Sequence, residues 1–243
     1  MKRLSLAPAF SCALLLAVPS ASFLARRAGA SPAAQDDKAS KAGGDSLNYA
    51  DFEEQQGGRP TSTRGGYVQL TSYEETTKSH YKGLANASPG APELVHIKQG
   101  DPNHAAAFGY ELYSPNQYAG VGIEIHGQPD KDGKPVADDV SDYKFLSLQV
   151  YATGVSNLRV EFISRGQGVN LSSGWPQSFL HVRPGFNTYR VPLGSLNQPN
   201  WADKINPKDV LKKLTAVSIT AFCEKCTPVQ GTVVIDNVAF EKK

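Results

Sequence analysis

Cys223 and Cys226 are the only closely spaced thiols in a chain that holds three cysteines. Two intervening residues suit a disulfide, a redox pair, or half of a zinc site. A redox pair needs a helix N-terminus to lower one thiol pKa, and this pair follows an alternating apolar stretch that reads as a strand. A zinc site needs a second ligand pair, which the sequence does not supply. In an exported chain, the pair is expected to close a disulfide on the loop before the last strand.

A second set of residues is chemically richer. Gln149 with Tyr151, Arg159 with Glu161, Glu124 with His126, Thr188 with Arg190, and His181 all stand at outward positions of alternating stretches. An aromatic face accepts the C–H face of a sugar ring. Carboxylate and guanidinium groups hold hydroxyls in fixed directions. The set therefore suits a carbohydrate groove, although a polar outer face is also ordinary for a half-buried antiparallel sheet. Trp175 either adds a stacking ring or serves in the core of a loop folded over the sheets. Enzyme signatures are missing: there is no HExxH, no GxSxG, no P-loop and no Rossmann glycine motif. The histidines (80, 96, 104, 126 and 181) never pair at metal-ligand spacing. No tight acidic pair lies within one strand, so glycoside hydrolysis would need two distant carboxylates brought together by the fold. No catalytic residue is expected.

The elements that must position these side chains are strands. Apolar residues recur every second position rather than at the helical period of about 3.6. Leu146, Leu148 and Val150 alternate with Ser147, Gln149 and Tyr151, while Leu158, Val160 and Phe162 alternate with Arg159 and Glu161. Val121, Ile123 and Ile125 form a third set, and Val217, Ile219 and Ala221 a fourth. Val233, Ile235 and Asn237 mark one face of a last strand near 231–240. Further strands are expected at 66–73, 93–99, 106–113, 179–183 and 186–192. With 22 glycines and 16 prolines as punctuation, the pattern predicts an all-β antiparallel sandwich. One short helix follows from Asn206 as N-cap, Pro207 at the first helical position, and an apolar stripe of Val210, Leu211 and Leu214.

The chain has 243 residues, 40% of them hydrophobic and 20% charged. Four of its 25 basic residues (Lys2, Arg3, Arg26 and Arg27) lie in residues 1–30, which carry no acid. The remainder therefore holds 21 basic against 23 acidic groups, a balance of −2 that does not favour nucleic acid. Residues 1–30 join a positive start to an apolar centre and a small-residue end at Ala28, Gly29 and Ala30, the pattern of an export signal. Pro8, Pro19 and several serines interrupt the apolar run, which argues against a retained membrane anchor. Residues 31–46 are Ala, Ser, Gly and charge, and are expected to be a flexible linker or a processed tail. One folded domain is expected over 47–243.

Several segments carry a family resemblance. Ala137 to Val150 resembles the strand entry of carbohydrate-binding module family 11 and of the related complex I intermediate-associated protein 30 family. Asn187 to Leu193 is similar to a strand ending in Pro-Leu, and Gln198 to Trp201 to a Gln-Pro-x-Trp turn. Gly231 to Phe240 resembles the closing strand with its Asp-Asn-Val, and Asp51 to Glu53 the opening Asp-Phe-Glu. The sequence departs where a Trp often follows that opening, since Gly57, Gly58, Arg59 and Pro60 stand there.

The resemblance implies a jelly roll of the galactose-binding-like kind. It further implies a secreted or periplasmic, non-catalytic, monomeric protein that binds a glucan-like polysaccharide on a sheet groove. By position, the Arg-x-acidic pair of that groove is Arg159 and Glu161, with Tyr151, Arg190, Gln149, His181 and Trp175 as neighbours. Strand alternation is expected to put Tyr151, Arg159, Glu161 and Arg190 on one side, with neither Arg159 nor Glu161 in the core. A structural Ca2+ between the first and last strands is implied through Glu53 and Asp236; alternatively, Asp236 only hydrogen-bonds nearby backbone. A protein-assembly domain and a jelly-roll glycan-active enzyme are the other functions consistent with the fold. No membrane span is expected after signal removal.

Overall fold

The alternation of the central segments becomes two stacked sheets. The computed structural model describes residues 44–72, 80–82, 90–171, 173–223, 225 and 228–243. Contacts divide the chain into Met1–Ser40 and Lys41–Lys243. The expected export signal lies outside the described residues, as do Cys226 and the Cys223 side chain.

The strands are β1 (Ser46–Ala50), β2 (Gln55–Gln56), β3 (Arg59–Pro60), β4 (Val68–Ser72), β5 (His80–Lys82), β6 (Glu93–His96) and β7 (His104–Leu112). They continue with β8 (Gln117–Glu124), β9 (Phe145–Ala152), β10 (Asn157–Ile163), β11 (Gln177–His181), β12 (Asn187–Pro192), β13 (Ala216–Cys223) and β14 (Val229–Glu241). One sheet runs β11-β10-β13-β8-β4. The other runs β12-β9-β14-β7-β5, with β1 added on β14 and β6 on β7; all pairings are antiparallel. Leu146, Leu148, Val150, Phe108, Val233 and Ile235 from the seven-stranded sheet share one core with Leu158, Val160, Phe162, Val217, Ile219 and Val121 from the five-stranded sheet. This is the expected sandwich.

The helix also forms as expected. α1 covers Pro207–Leu211, with the Asn206 side chain accepting from the Lys208 N–H at 3.0 Å and Val210 and Leu211 buried. Among the described residues, no helix is long and apolar enough to cross a membrane.

Strand β14 departs from simple alternation. It pairs β7 through Val229–Ile235 and β1 through Val238–Glu241, so its partner on one side changes midway. At the change, Asn237 takes φ +50° and the register with β9 slips between Asp236 and Ala239. The bulge shifts the inward phase by one residue. Asn237, expected inward with Val233 and Ile235, is exposed instead, and Val238 and Phe240 are fully buried.

Candidate functional site

The outer face of the five-stranded sheet is laid out by its register. Arg159 of β10 stands between Phe179 of β11 and Thr220 of β13, and Thr220 faces Gly120 of β8. In the next row, Glu161 lies between Gln177 and Ser218, and Ser218 faces Gly122. At the other side of Arg159, Phe222 pairs with Tyr118, and Asn157 with His181. The glycines lower the floor here. A Cβ on Gly120 would come within 2.2 Å of the Ile219 carbonyl, whereas one on Gly122 would meet nothing nearer than 4.0 Å. Gly120 thus permits close strand approach, and above Gly122 the face is open.

Arg159 is the centre of this face. Its guanidinium carbon lies 4.8 Å from the Tyr118 ring centroid and 4.9 Å from that of Phe222, and Phe222 is 5.6 Å from Phe179. Cation–π attraction and apolar contact with the stem both favour this placement. Arg159 Nη2 donates to Glu161 Oε2 at 3.1 Å, and the two side chains are only 12% and 14% exposed. Burial pushes the Glu161 carboxyl above its usual 4.5, while the charges of Arg159 and then Arg165 pull it back. Arg159 Nε, Thr220 Oγ1 and Gln177 Oε1 are shielded and lack a hydrogen-bond partner. The face therefore joins aromatic rings to a fixed charge pair and to polar atoms whose hydrogen-bonding capacity is unfilled.

The expected binding set does not come together. Arg159, Glu161 and His181 share the five-stranded face; His181 sits at its exposed end, with Nδ1 3.3 Å from Asn157 Oδ1. Tyr151, Gln149 and Arg190 lie on the outer face of the seven-stranded sheet, where Gln149 pairs with Thr188 and Asp236, Tyr151 with Val234, and Arg190 with Ser147. Period two distinguishes inside from outside but does not say which sheet a strand joins. β9 and β10 enter different sheets, so their outward residues point opposite ways. Arg190 Nη2 is 2.9 Å from Glu241 Oε2, and its guanidinium lies 4.0 Å from the Phe145 ring centroid. Trp175 is 4% exposed and packs within the core cluster. Arg159 and Glu161 lie on the outer face, outside the core, yet are largely covered, with Arg159 set against the Tyr118 and Phe222 rings. Tyr118, Phe179 and Phe222 are the rings on this candidate face that the strand pattern did not single out. Phe222 carried the signal, since its alternation with Ala221 marked it as outward.

Glu124 and His126 stand at the far end of β8. His126 Nε2 is 3.1 Å from Asp138 Oδ1, and Arg64 pairs with the other Asp138 oxygen. Burial, and then the Arg64 charge, lower the His126 pKa. This trio ties the turn before β4 to the segment before β9.

The two expected metal ligands flank the β14 bulge. Asp236 is fully buried; Oδ2 accepts from Asn103 Nδ2 at 2.8 Å and Asn237 Nδ2 at 2.9 Å, and Oδ1 accepts from the Asn237 N–H at 2.7 Å. Glu53 Oε1 accepts from the His104 N–H at 2.6 Å, and Oε2 lies 3.0 Å from His104 Nδ1. Burial raises the Asp236 pKa, and the charges of Glu53 and Asp51 add to the rise against its amide donors. The His104 hydrogen bonds lower that of Glu53. Among the described residues, no group of three His, Cys, Asp or Glu side chains is arranged to hold a metal ion.

Comparison with solved structures identifies the architecture. The family 11 carbohydrate-binding module from Clostridium thermocellum, in complex with a β-1,3-1,4-mixed-linked tetrasaccharide, aligns with a TM-score of 0.51 at 11% identity, over 80% of this chain and 94% of the module. A family 30 carbohydrate-binding module of a Clostridium thermocellum cellulosomal cellulase aligns with a TM-score of 0.45 at 11% identity, over 72% of this chain and 92% of that one. An exo-β-agarase aligns with a TM-score of 0.43 at 14% identity, over 81% of this chain but 25% of the agarase chain. No protein-family model and no curated protein matches the sequence. The chain has the jelly-roll fold of the family 11 module.

Proposed function

We propose that the protein is a non-catalytic module that binds a glucan-like polysaccharide on the outer face of its five-stranded sheet. The observation that carries this reading is the Arg159 clamp: a guanidinium held between Tyr118 and Phe222 and tied to a largely buried Glu161. A sugar polymer offers C–H faces to the rings and hydroxyls to the charged pair, and the open floor above Gly122 gives it space. The solved family 11 module of the same fold holds a mixed-linked tetrasaccharide, which supports that ligand class. Affinity electrophoresis through gels containing mixed-linkage glucan, xyloglucan, mannan or xylan tests the reading. Retardation by a glucan without release of reducing ends is expected. Free migration in every gel, or turnover of the polymer, would overturn it.

A structural Ca2+ belongs to the same proposal. Asp236, buried and repelled by Glu53 and Asp51, supplies hard oxygen of the kind that cation takes. Asp236 and Glu53 would hold the ion with backbone carbonyls: Asp236 Oδ1 and Glu53 Oε1 each accept one N–H and keep a lone pair, whereas Asp236 Oδ2 already accepts from two amides. A bound ion favours the folded state by mass action, so chelation should lower Tm by about 5 °C. Superimposable melts with and without chelator would leave Asp236 a backbone-bonding residue only.

Export, with loss of residues 1–30 and closure of Cys223 to Cys226, completes the proposal. The intact mass of exported, unreduced protein reads both features. A mass beginning at Met1 or carrying two free thiols would count against them.

A further inference from the structure

We propose that residues 169–171, 173–174 and 198–203 form a second carbohydrate subsite, a stacking platform on Trp201 for a neutral pyranose ring. Its ligand class rests on the polysaccharide reading above, but its residues are separate from the Arg159 clamp. Trp201 is 72% exposed, more than any other large apolar side chain among the described residues. Burying such a ring ordinarily stabilises a fold, so leaving it in water forgoes that gain.

The ring is nevertheless held in place. Gln198 Nε2 donates to the Gly174 carbonyl at 3.1 Å and to the Asp203 carbonyl at 3.2 Å, and its Oε1 accepts from the Ile205 N–H at 3.0 Å. Lys204 Nζ donates to the Pro199 carbonyl at 3.0 Å. Asn197 exchanges both backbone hydrogen bonds with Gln177, at 2.7 and 2.9 Å, which fixes the turn to the edge of the five-stranded sheet. Gly174 has φ +73°, and a Cβ there would come within 2.9 Å of Trp201 Cη2 and 2.5 Å of the Ala202 Cβ. One rim of the indole is therefore seated against the neighbouring loop while most of its surface faces solvent.

Beside the ring is a cavity of about 360 Å³, within the range of small-ligand sites. Asn170, Ser173 and Asp203 line it, and their side chains engage no other described residue. The π face of an indole is negative and attracts the positive C–H face of a pyranose. The Asp203 carboxylate accepts from neighbouring hydroxyls, and the Asn170 amide both donates and accepts. Among the described residues the cavity lining offers a carboxylate and no cation, and the nearby Lys204 ammonium is committed to backbone carbonyls. It therefore selects a neutral sugar over a uronic acid.

Tryptophan fluorescence tests this directly, because the chain has two tryptophans and Trp175 is buried. The full chain is titrated with a mixed-linked β-1,3-1,4-glucan tetrasaccharide, and with tetragalacturonate as its charged counterpart, while glucan gels report the clamp separately. The expected result is a saturable blue shift with the neutral sugar and an acrylamide quenching constant lowered about twofold. Tetragalacturonate should give neither change. Trp201→Phe should abolish the shift, and Arg159→Gln should retain it while binding at least tenfold more weakly in the gels. An unshifted spectrum at millimolar tetrasaccharide overturns the platform, even if the gels show clamp binding. A shift lost in both variants places Trp201 in the clamp's own site and overturns a separate subsite. An equal shift with tetragalacturonate overturns the selectivity. Free migration in the gels beside an intact Trp201 shift sinks the clamp reading and leaves the platform standing.

Discussion

Each outer face of the sandwich carries an arginine paired with a glutamate and set against aromatic carbon, yet the two pairs live in different surroundings. Arg159 and Glu161 keep 12% and 14% of their side-chain surface, whereas Arg190 and Glu241 keep 44% and 31%. Arg159 sits on an inner strand between two rings over a floor lowered by glycines. Arg190 sits on the edge strand β12 over the single ring of Phe145. Residue types and hydrogen-bond lengths therefore do not by themselves make a site. The 2.9 Å pair is the shorter, and water still screens it; the 3.1 Å pair is walled in, so its partners must be supplied by protein or ligand.

The largest expected effect breaks the buried pair. Arg159→Ala removes the cation hydrogen-bonded to the largely buried Glu161 and should lower unfolding stability by about 3 kcal/mol, read from denaturant melts. Replacing both partners, Arg159→Met with Glu161→Leu, should restore most of that loss, because no unpaired charge is left. A midpoint for Arg159→Ala equal to wild type would show that water reaches the pair as freely as it reaches Arg190.

The next effect is one of pH. Burial holds the Glu161 pKa above the usual 4.5 in the folded state. Its favourable contribution to stability is thus fully present below the unfolded value and is lost as pH rises through the folded value. Acidification from neutrality toward 4.5 should stabilise wild type relative to Glu161→Gln. Parallel stability profiles for the two proteins would show that the carboxyl is not held above its ordinary range.

The smallest effect belongs to the exposed pair. Arg190→Ala should change stability by less than about 1 kcal/mol, in the range of solvent-exposed ion pairs. A loss as large as that of Arg159→Ala would erase the contrast between the faces.

Much of the fold was legible because burial on a sheet imposes alternation. Leu146, Leu148 and Val150 were readable as inward, as were Leu158, Val160 and Phe162, and the cap at Asn206 was readable from its side chain and the proline after it. What alternation does not encode is which sheet a strand joins. Residues 153–156 form a short link between β9 and β10, and nothing in their types shows that the chain crosses the sandwich there. Tyr151 and Arg159 consequently read as neighbours and are on opposite faces. The phase slip at Asp236 and Asn237 was hidden for a related reason, since a bulge depends on the change of partner from β7 to β1. Trp175 could be read either as a stacking ring or as core because it lies outside the regular strands, where period gives no inside or outside. The core was written in the pattern, while the floor of the site depended on long-range pairing.

The central claim is that the five-stranded face, not the seven-stranded one, takes the polysaccharide. Retardation of wild type, Tyr118→Ala, Arg159→Gln and Arg190→Gln in one mixed-linkage β-glucan gel series, each protein first shown to be folded by its melt, tests it most directly. Arg159→Gln should bind at least tenfold more weakly, a loss of about 1.4 kcal/mol, and Tyr118→Ala should weaken in the same direction. Arg190→Gln should match wild type. Equal retardation of wild type and the Tyr118 and Arg159 variants, or a loss confined to Arg190→Gln, would contradict the assignment.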